Sequence, residues 1–103
     1  MNKVVLMGRL TRDPEVRYSQ GENALAIARY TLAVDRRFKR DGEQTADFIN
    51  CVAWDKRAET IAEYLRKGRR IALQGRLSVR SYEQNGETKW MTEVIVDKFD
   101  FID

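Results

Sequence analysis

The sequence predicts an all-β chain with one short helix, ordered β-β-β-α-β-β and closed into a five-stranded Greek-key barrel. Three observations predict it. Segments of alternating apolar and polar residues recur along the 103 residues, which is the period of half-buried strands. Turn formers such as Asp13-Pro14, Asp41-Gly42 and Asn85-Gly86 separate those segments. One stretch alone, Lys56 to Gly68, places its apolar residues at helical spacing.

The elements follow in order. Val4 to Leu10 forms the first strand, apolar at both parities, and Thr11-Arg12-Asp13-Pro14 closes it. The turn cluster Ser19 to Asn23 precedes the second, Ala24 to Val34. Asp41-Gly42 and Asn85-Gly86 are hairpin signals inside loops expected to exceed two residues. In the third strand Ile49, Cys51 and Ala53 alternate with Phe48, Asn50, Val52 and Trp54. Ala58, Ile61, Ala62 and Leu65 then fall at i, i+3, i+4 and i+7, one face of an amphipathic helix. Asp55 suits its N-cap, Arg66 and Lys67 the negative end of its dipole, and Gly68 its C′ position. The fourth strand turns Ile71, Leu73, Gly75, Leu77 and Val79 inward, and Ala72, Gln74, Arg76, Ser78, Arg80 and Tyr82 outward. Gly75 marks a bend. The fifth strand opens at Trp90. A short helix between the third and fourth strands of such a barrel describes an OB-fold, expected as one domain over residues 1–103.

Composition removes most enzyme chemistry. There is no histidine, hence no imidazole acid–base catalysis and no His-ligated zinc. The single cysteine, Cys51, permits no internal disulfide or thiolate cage, and the core parity explains it as a small buried residue. We therefore expect no catalytic residue, no cofactor and no metal. The apolar run at the start is too short for a signal peptide or a membrane span, so a cytoplasmic, nucleoid-associated protein without a membrane partner is expected. Lys and Arg exceed Asp and Glu by 19 to 16, a net charge of +3, too small to coat nucleic acid by charge alone.

The distribution of that charge says more. Phe48 and Trp54 project from the same side of one strand, about 20 Å apart at roughly 3.3 Å per residue. Phe38 lies among Arg36, Arg37, Lys39 and Arg40, Tyr82 lies outward with Arg76 and Arg80, and Trp90 follows Lys89. Aromatics interleaved with cations are what a single nucleic-acid strand requires. Each base offers a π-face worth about 1–3 kcal/mol on a ring, and each phosphate takes a positive neighbour. Trp90 is ambiguous, because it shares parity with Val94 and Val96 and fits a core face equally well.

With these residues in hand, the chain resembles bacterial single-stranded DNA-binding proteins. The resemblance is carried by Asn2-Lys3-Val4-Val5-Leu6-Met7-Gly8-Arg9-Leu10, by Asp13 to Tyr18, and by Asp47 to Trp54. Ala62 to Gly68, Gly75-Arg76-Leu77, Arg80-Ser81-Tyr82 and Thr92 to Val96 complete it in collinear order. It implies an OB-fold homotetramer that binds single-stranded DNA with little sequence preference, in replication, recombination and repair. Stacking rings would map onto Phe38, Phe48, Trp54 and Tyr82, with Tyr64 a further candidate. Phosphate contacts would map onto Lys56, Arg66, Lys67, Arg80 and Arg17.

The family usually continues into a flexible tail whose acidic, apolar tip recruits replication and repair proteins. Such partners are expected here only if a tail follows Asp103. Two other readings of the residues stay open: an RNA-binding OB module, since stacking ignores the 2′-OH, and an assembly subunit whose aromatic face docks a protein.

Overall fold

The computed structural model describes residues 1–38 and 40–102. Six strands and one helix follow in order: β1 (Val4–Leu10), β2 (Glu15–Tyr18), β3 (Ala26–Asp35), β4 (Ala46–Trp54), α1 (Lys56–Tyr64), β5 (Arg70–Gln84) and β6 (Glu87–Phe101). They form one sheet in the order β1-β5-β6-β4-β3-β2. A second pairing, Arg9 with Ala33 and Leu10 with Leu32, joins β1 to β3 and closes five of the strands into a ring. Only β4 and β6 run parallel, through Cys51–Val94 and Val52–Ile95. This is the OB barrel that the element order predicts. The sixth strand, β2, lies along β3 outside the ring. Four residues are too few for alternation to announce a strand, so pairing rather than pattern makes it one.

The core follows the predicted parities. Leu32, Cys51, Ala53, Ile71, Leu73, Val94 and Val96 meet inside the ring, and Ala58 and Ile61 of α1, with Leu65 just after it, seal one end. Each large member is anchored by burial alone. Truncating a residue such as Leu32 or Ile61 to Ala costs about 2–5 kcal/mol.

Two glycines are required by closeness. A Cβ on Gly8 would stand 2.3 Å from the Ala33 carbonyl oxygen, where β1 crosses β3. One on Gly75 would stand 2.1 Å from the Ile95 carbonyl oxygen, beside the register shift between β5 and β6. The bend expected at Gly75 is therefore a bulged close approach of two backbones.

Several details depart from the sequence reading, the first being that the last strand opens at Glu87 and not at Trp90. Leu77 and Val79 keep the inward parity of β5 but are exposed, because β5 and β6 run on past the barrel as a two-stranded ribbon with nothing beneath it. The ribbon turns on Asn85 and Gly86 alone, between the pair Gln84–Glu87, so this loop has two residues and not more. Both have positive φ, 53° and 79°, as a type I′ turn demands. Asp55 sits at the N-cap with φ 63°, yet its side chain makes no capping bond. Its backbone N–H donates to the Ala26 carbonyl instead. Finally, α1 ends at Tyr64, and Gly68 is a loop residue whose N–H donates to the Leu10 carbonyl, not the C′ cap.

Candidate nucleic-acid interface

Cross-strand register shows which side chains share the outer face of the barrel. One row runs Glu15, Arg29, Val52, Ile95, Arg76 across β2, β3, β4, β6 and β5. Neighbouring rows on the same face carry Arg17, Ile27 and Trp54, then Thr31 and Asn50, then Ala33 and Phe48. Further along the ribbon, Arg80 lies opposite Met91 and Tyr82 opposite Lys89. Phe48, Trp54, Tyr82, Arg76, Arg80 and Arg17 therefore project from one continuous surface. Phe48 is 61% exposed and Trp54 43%, far more than any core position allows. Between them, Val52 is buried although it has the outward parity. A cleft of about 180 Å³ opens on the same side, with Arg29, Asn50, Met91 and Glu93 among its walls.

The remaining aromatics are placed differently. Phe38, 82% exposed, stands in the loop between β3 and β4, with the Arg37 guanidinium 5.7 Å from its ring centroid. Lys39 lies outside the described residues. Trp90 is opposite Ser81, on the side of the ribbon that carries Leu77 and Val79 and away from Arg80 and Tyr82. The parity shared with Val94 and Val96 is real, but Trp90 is past the barrel and exposed rather than in the core. Tyr64 is on α1, half exposed, its ring edge-to-face with Phe101 at 6.4 Å.

The cations divide into engaged and free. Arg36 donates to Asp47 through Nε and Nη2, at 3.1 and 2.9 Å. Arg17 is paired with Glu15, and Arg80 donates from Nε to Glu93 at 3.3 Å. Arg66 spends Nη1 on the Ala62 and Leu65 carbonyls at the end of α1. The backbone N–H of Lys67 donates to Asp13, tying the loop after α1 to the turn before β2. Lys56 and Arg76 have no ion pair among the described residues. Free cations take a phosphate at no cost of a broken pair, so Lys56 and Arg76 have the simplest electrostatic role.

Sequence reasoning missed Glu93 and Arg69. Glu93 is buried on the outward face, and Arg69 places its guanidinium 4.2 Å from the Phe101 centroid. Neither has a local signal: an acid inside a strand and a basic residue just before one look like solvated surface until their neighbours are placed. Inside the barrel, Cys51 is as inert as its parity implies, since burial pushes its thiol up to about 12. Among the described residues no group of His, Cys, Asp and Glu could hold a metal ion. No helix among them is long and apolar enough to cross a membrane.

A closed OB barrel with exposed rings and cations across its outer strands defines the oligonucleotide-binding class of this fold. Known proteins narrow the class. Residues 1–102 match the model of the single-strand binding protein family, and the chain belongs to that family. It is 54% identical over 104 positions to the single-stranded DNA-binding protein of Clostridium perfringens, covering all of this chain and 67% of that protein. The proteins of the same name from Halalkalibacterium halodurans and Bacillus cereus are 50% and 49% identical over 105 positions. Against those two the chain spans 61% of the relative's length. The family is one of binding proteins, not of enzymes.

Proposed function

We propose that this chain binds and protects single-stranded DNA, largely without regard to sequence, in replication, recombination and repair. Bases stack on Phe48, Trp54 and Tyr82 across the outer face and on Phe38 at its edge, with Tyr64 and Trp90 reached at either side. Phosphates follow Arg76, Lys56 and Lys67, joined by Arg17, Arg36, Arg37, Arg66 and Arg80 where their present partners yield. The carrying observation is that Phe48 and Trp54 stand exposed on the face that also presents Arg76, Arg80 and Tyr82. Stacking tolerates any base and phosphate contact reads none, so the chemistry itself predicts little sequence preference.

The same reading includes a homotetramer in the cytoplasm, associated with the nucleoid. Supporting it, β1 pairs β5 from Val4 to Arg9 but β3 only at Arg9 and Leu10, which leaves an unpaired edge along Val4 to Gly8. Val5 and Met7 are also exposed on this strand. Recruitment of replication and repair proteins belongs to this reading only through a tail beyond the present chain.

Titration with oligo-dT, followed by tryptophan fluorescence, tests the function. Quenching that weakens with salt at a log–log slope near −0.7 per phosphate contact is expected. Unchanged emission while DNA binds would remove Trp54 from the mechanism. A preference for poly-U over poly-dT at matched salt would transfer the assignment to RNA.

A further inference from the structure

An open groove of about 500 Å³ runs between α1 and the last residues of β6. That volume falls in the range of small-ligand pockets, roughly 300–1,000 Å³. Its aromatic side is a packed cluster. Phe99 and Phe101 meet edge to face with centroids 5.6 Å apart, and Tyr64 meets Phe101 from the helix. The Arg69 guanidinium lies over Phe101. Packing does not consume these rings, since Tyr64 remains 53% and Phe101 42% exposed.

The walls are charged. Lys56 and Arg57 stand on the helix side and Lys98 on the strand side, with the carboxylates of Asp97 and Asp100 beside it. Arg57 is held in place by donating to the Asp97 carbonyl. Three cations line the groove against two carboxylates, and Arg69 adds a fourth positive charge beside it at Phe101, so the groove is left positive. Rings with a guanidinium plane suit a planar π-system, and the surplus charge suits an anion attached to it.

We propose that this groove binds one further nucleotide of the single strand. Its base stacks against the Tyr64–Phe101–Arg69 cluster and its phosphate meets Lys56 and Lys98. The inference rests on the single-strand reading above and lengthens its track. Lys56 is the second residue after Trp54, so the groove begins where the proposed path leaves β4. The strand would then turn off the sheet and continue along α1 rather than ending at Trp54.

The test compares the unaltered protein with Phe101→Ala and Arg69→Gln. Poly-dT titrations give the nucleotides occluded per protomer, and an iodouracil-substituted oligo-dT gives photo-crosslinks mapped by mass spectrometry. Both variants are expected to occlude fewer nucleotides and to bind long oligo-dT at least about five-fold more weakly. Crosslinks are expected at Tyr64 or Phe101. The exposed Arg69 side chain can be changed without disturbing the core, so Arg69→Gln decides the matter if Phe101→Ala misfolds. Unaltered occlusion and affinity in the variants, with crosslinks confined to β4 and β5, would overturn the groove and leave the sheet face standing. Failure of the unaltered protein to bind poly-dT would overturn both.

Discussion

Arg80 donates from Nε to Oε1 of Glu93 across 3.3 Å, and the accepting carboxylate is nearly out of solvent while the guanidinium is half exposed. Nη2 of the same guanidinium reaches the Met91 sulfur, also at 3.3 Å. Arg80 is thereby aimed along the outward face with its charge already partly balanced. A phosphate has to compete with Glu93 for it. Glu93→Gln keeps the shape and removes the competitor. Oligo-dT affinity at low salt should rise, and the log–log salt slope should steepen by about 0.7, one more phosphate contact. An unchanged slope in titrations across salt would mean that Glu93 does not keep Arg80 from a phosphate.

Val52 and Trp54 share a parity on β4 but not an environment, one buried and one exposed. Trp54→Ala should weaken oligo-dT binding by about 1–3 kcal/mol, with the unfolding midpoint little moved. Val52→Ala should do the reverse, lowering stability by roughly 1–3 kcal/mol. Paired titrations and denaturation curves separate the two. A stability loss without a binding loss at Trp54 would make it a packing residue.

Gly75→Ala forces a methyl against the Ile95 carbonyl oxygen, a backbone atom that cannot rotate aside. We expect at least about 3 kcal/mol of destabilisation, at or beyond the usual overpacking range. Gly42→Ala meets nothing within 4 Å and strains only its φ of 81°, a cost of about 1–2 kcal/mol. Equal losses in urea denaturation would contradict the close approach of β5 and β6.

Stability should also decline in alkali. Burial raises the Cys51 thiol from its ordinary 9.0 to about 12, against a smaller lowering by Tyr30. Below about pH 9 folded and unfolded chains both keep this proton. Between about 9 and about 12 the unfolded chain has lost it and the folded chain has not, so stability falls as pH rises. Tyr30 is raised too, by burial first, and adds the same sign above about 10. Denaturation midpoints should stay flat to about pH 9, then drop. Cys51→Ala should delay the onset to near pH 10. A Cys51→Ala curve with the same onset would assign the decline elsewhere.

Parity explains both what the sequence disclosed and where it stopped. Ile71, Leu73 and Gly75 alternate with Gln74 and Arg76 as a half-buried strand must, so the barrel and its outer face could be read directly. Parity tells which side a residue takes, not whether anything covers that side. Leu77, Val79 and Trp90 thus look like core and are exposed, because the ribbon has left the barrel. Val52 looks like surface and is covered. The pairings of Arg80 with Glu93 and Arg36 with Asp47 join residues 13 and 11 positions apart. Nothing local distinguishes either arginine from a solvated one. The groove is harder still to foresee, since Tyr64, Arg69 and Phe101 meet only when α1 is laid against the end of β6.

The type I′ turn at Asn85–Gly86 caps a ribbon whose outer arms extend roughly 20 Å from Ser78, at about 3.3 Å per residue. No apolar layer backs this part of the molecule, so its hydrogen bonds can open without the barrel unfolding. Amide exchange should therefore be graded along β5, slow at the Gly75 root and fast toward Gln84. A single strand lying across Tyr82 and Arg80 would act as a splint on that free end. DNA would then slow exchange most at the tip of the ribbon, and the gradient would become a measure of how far the bound strand reaches.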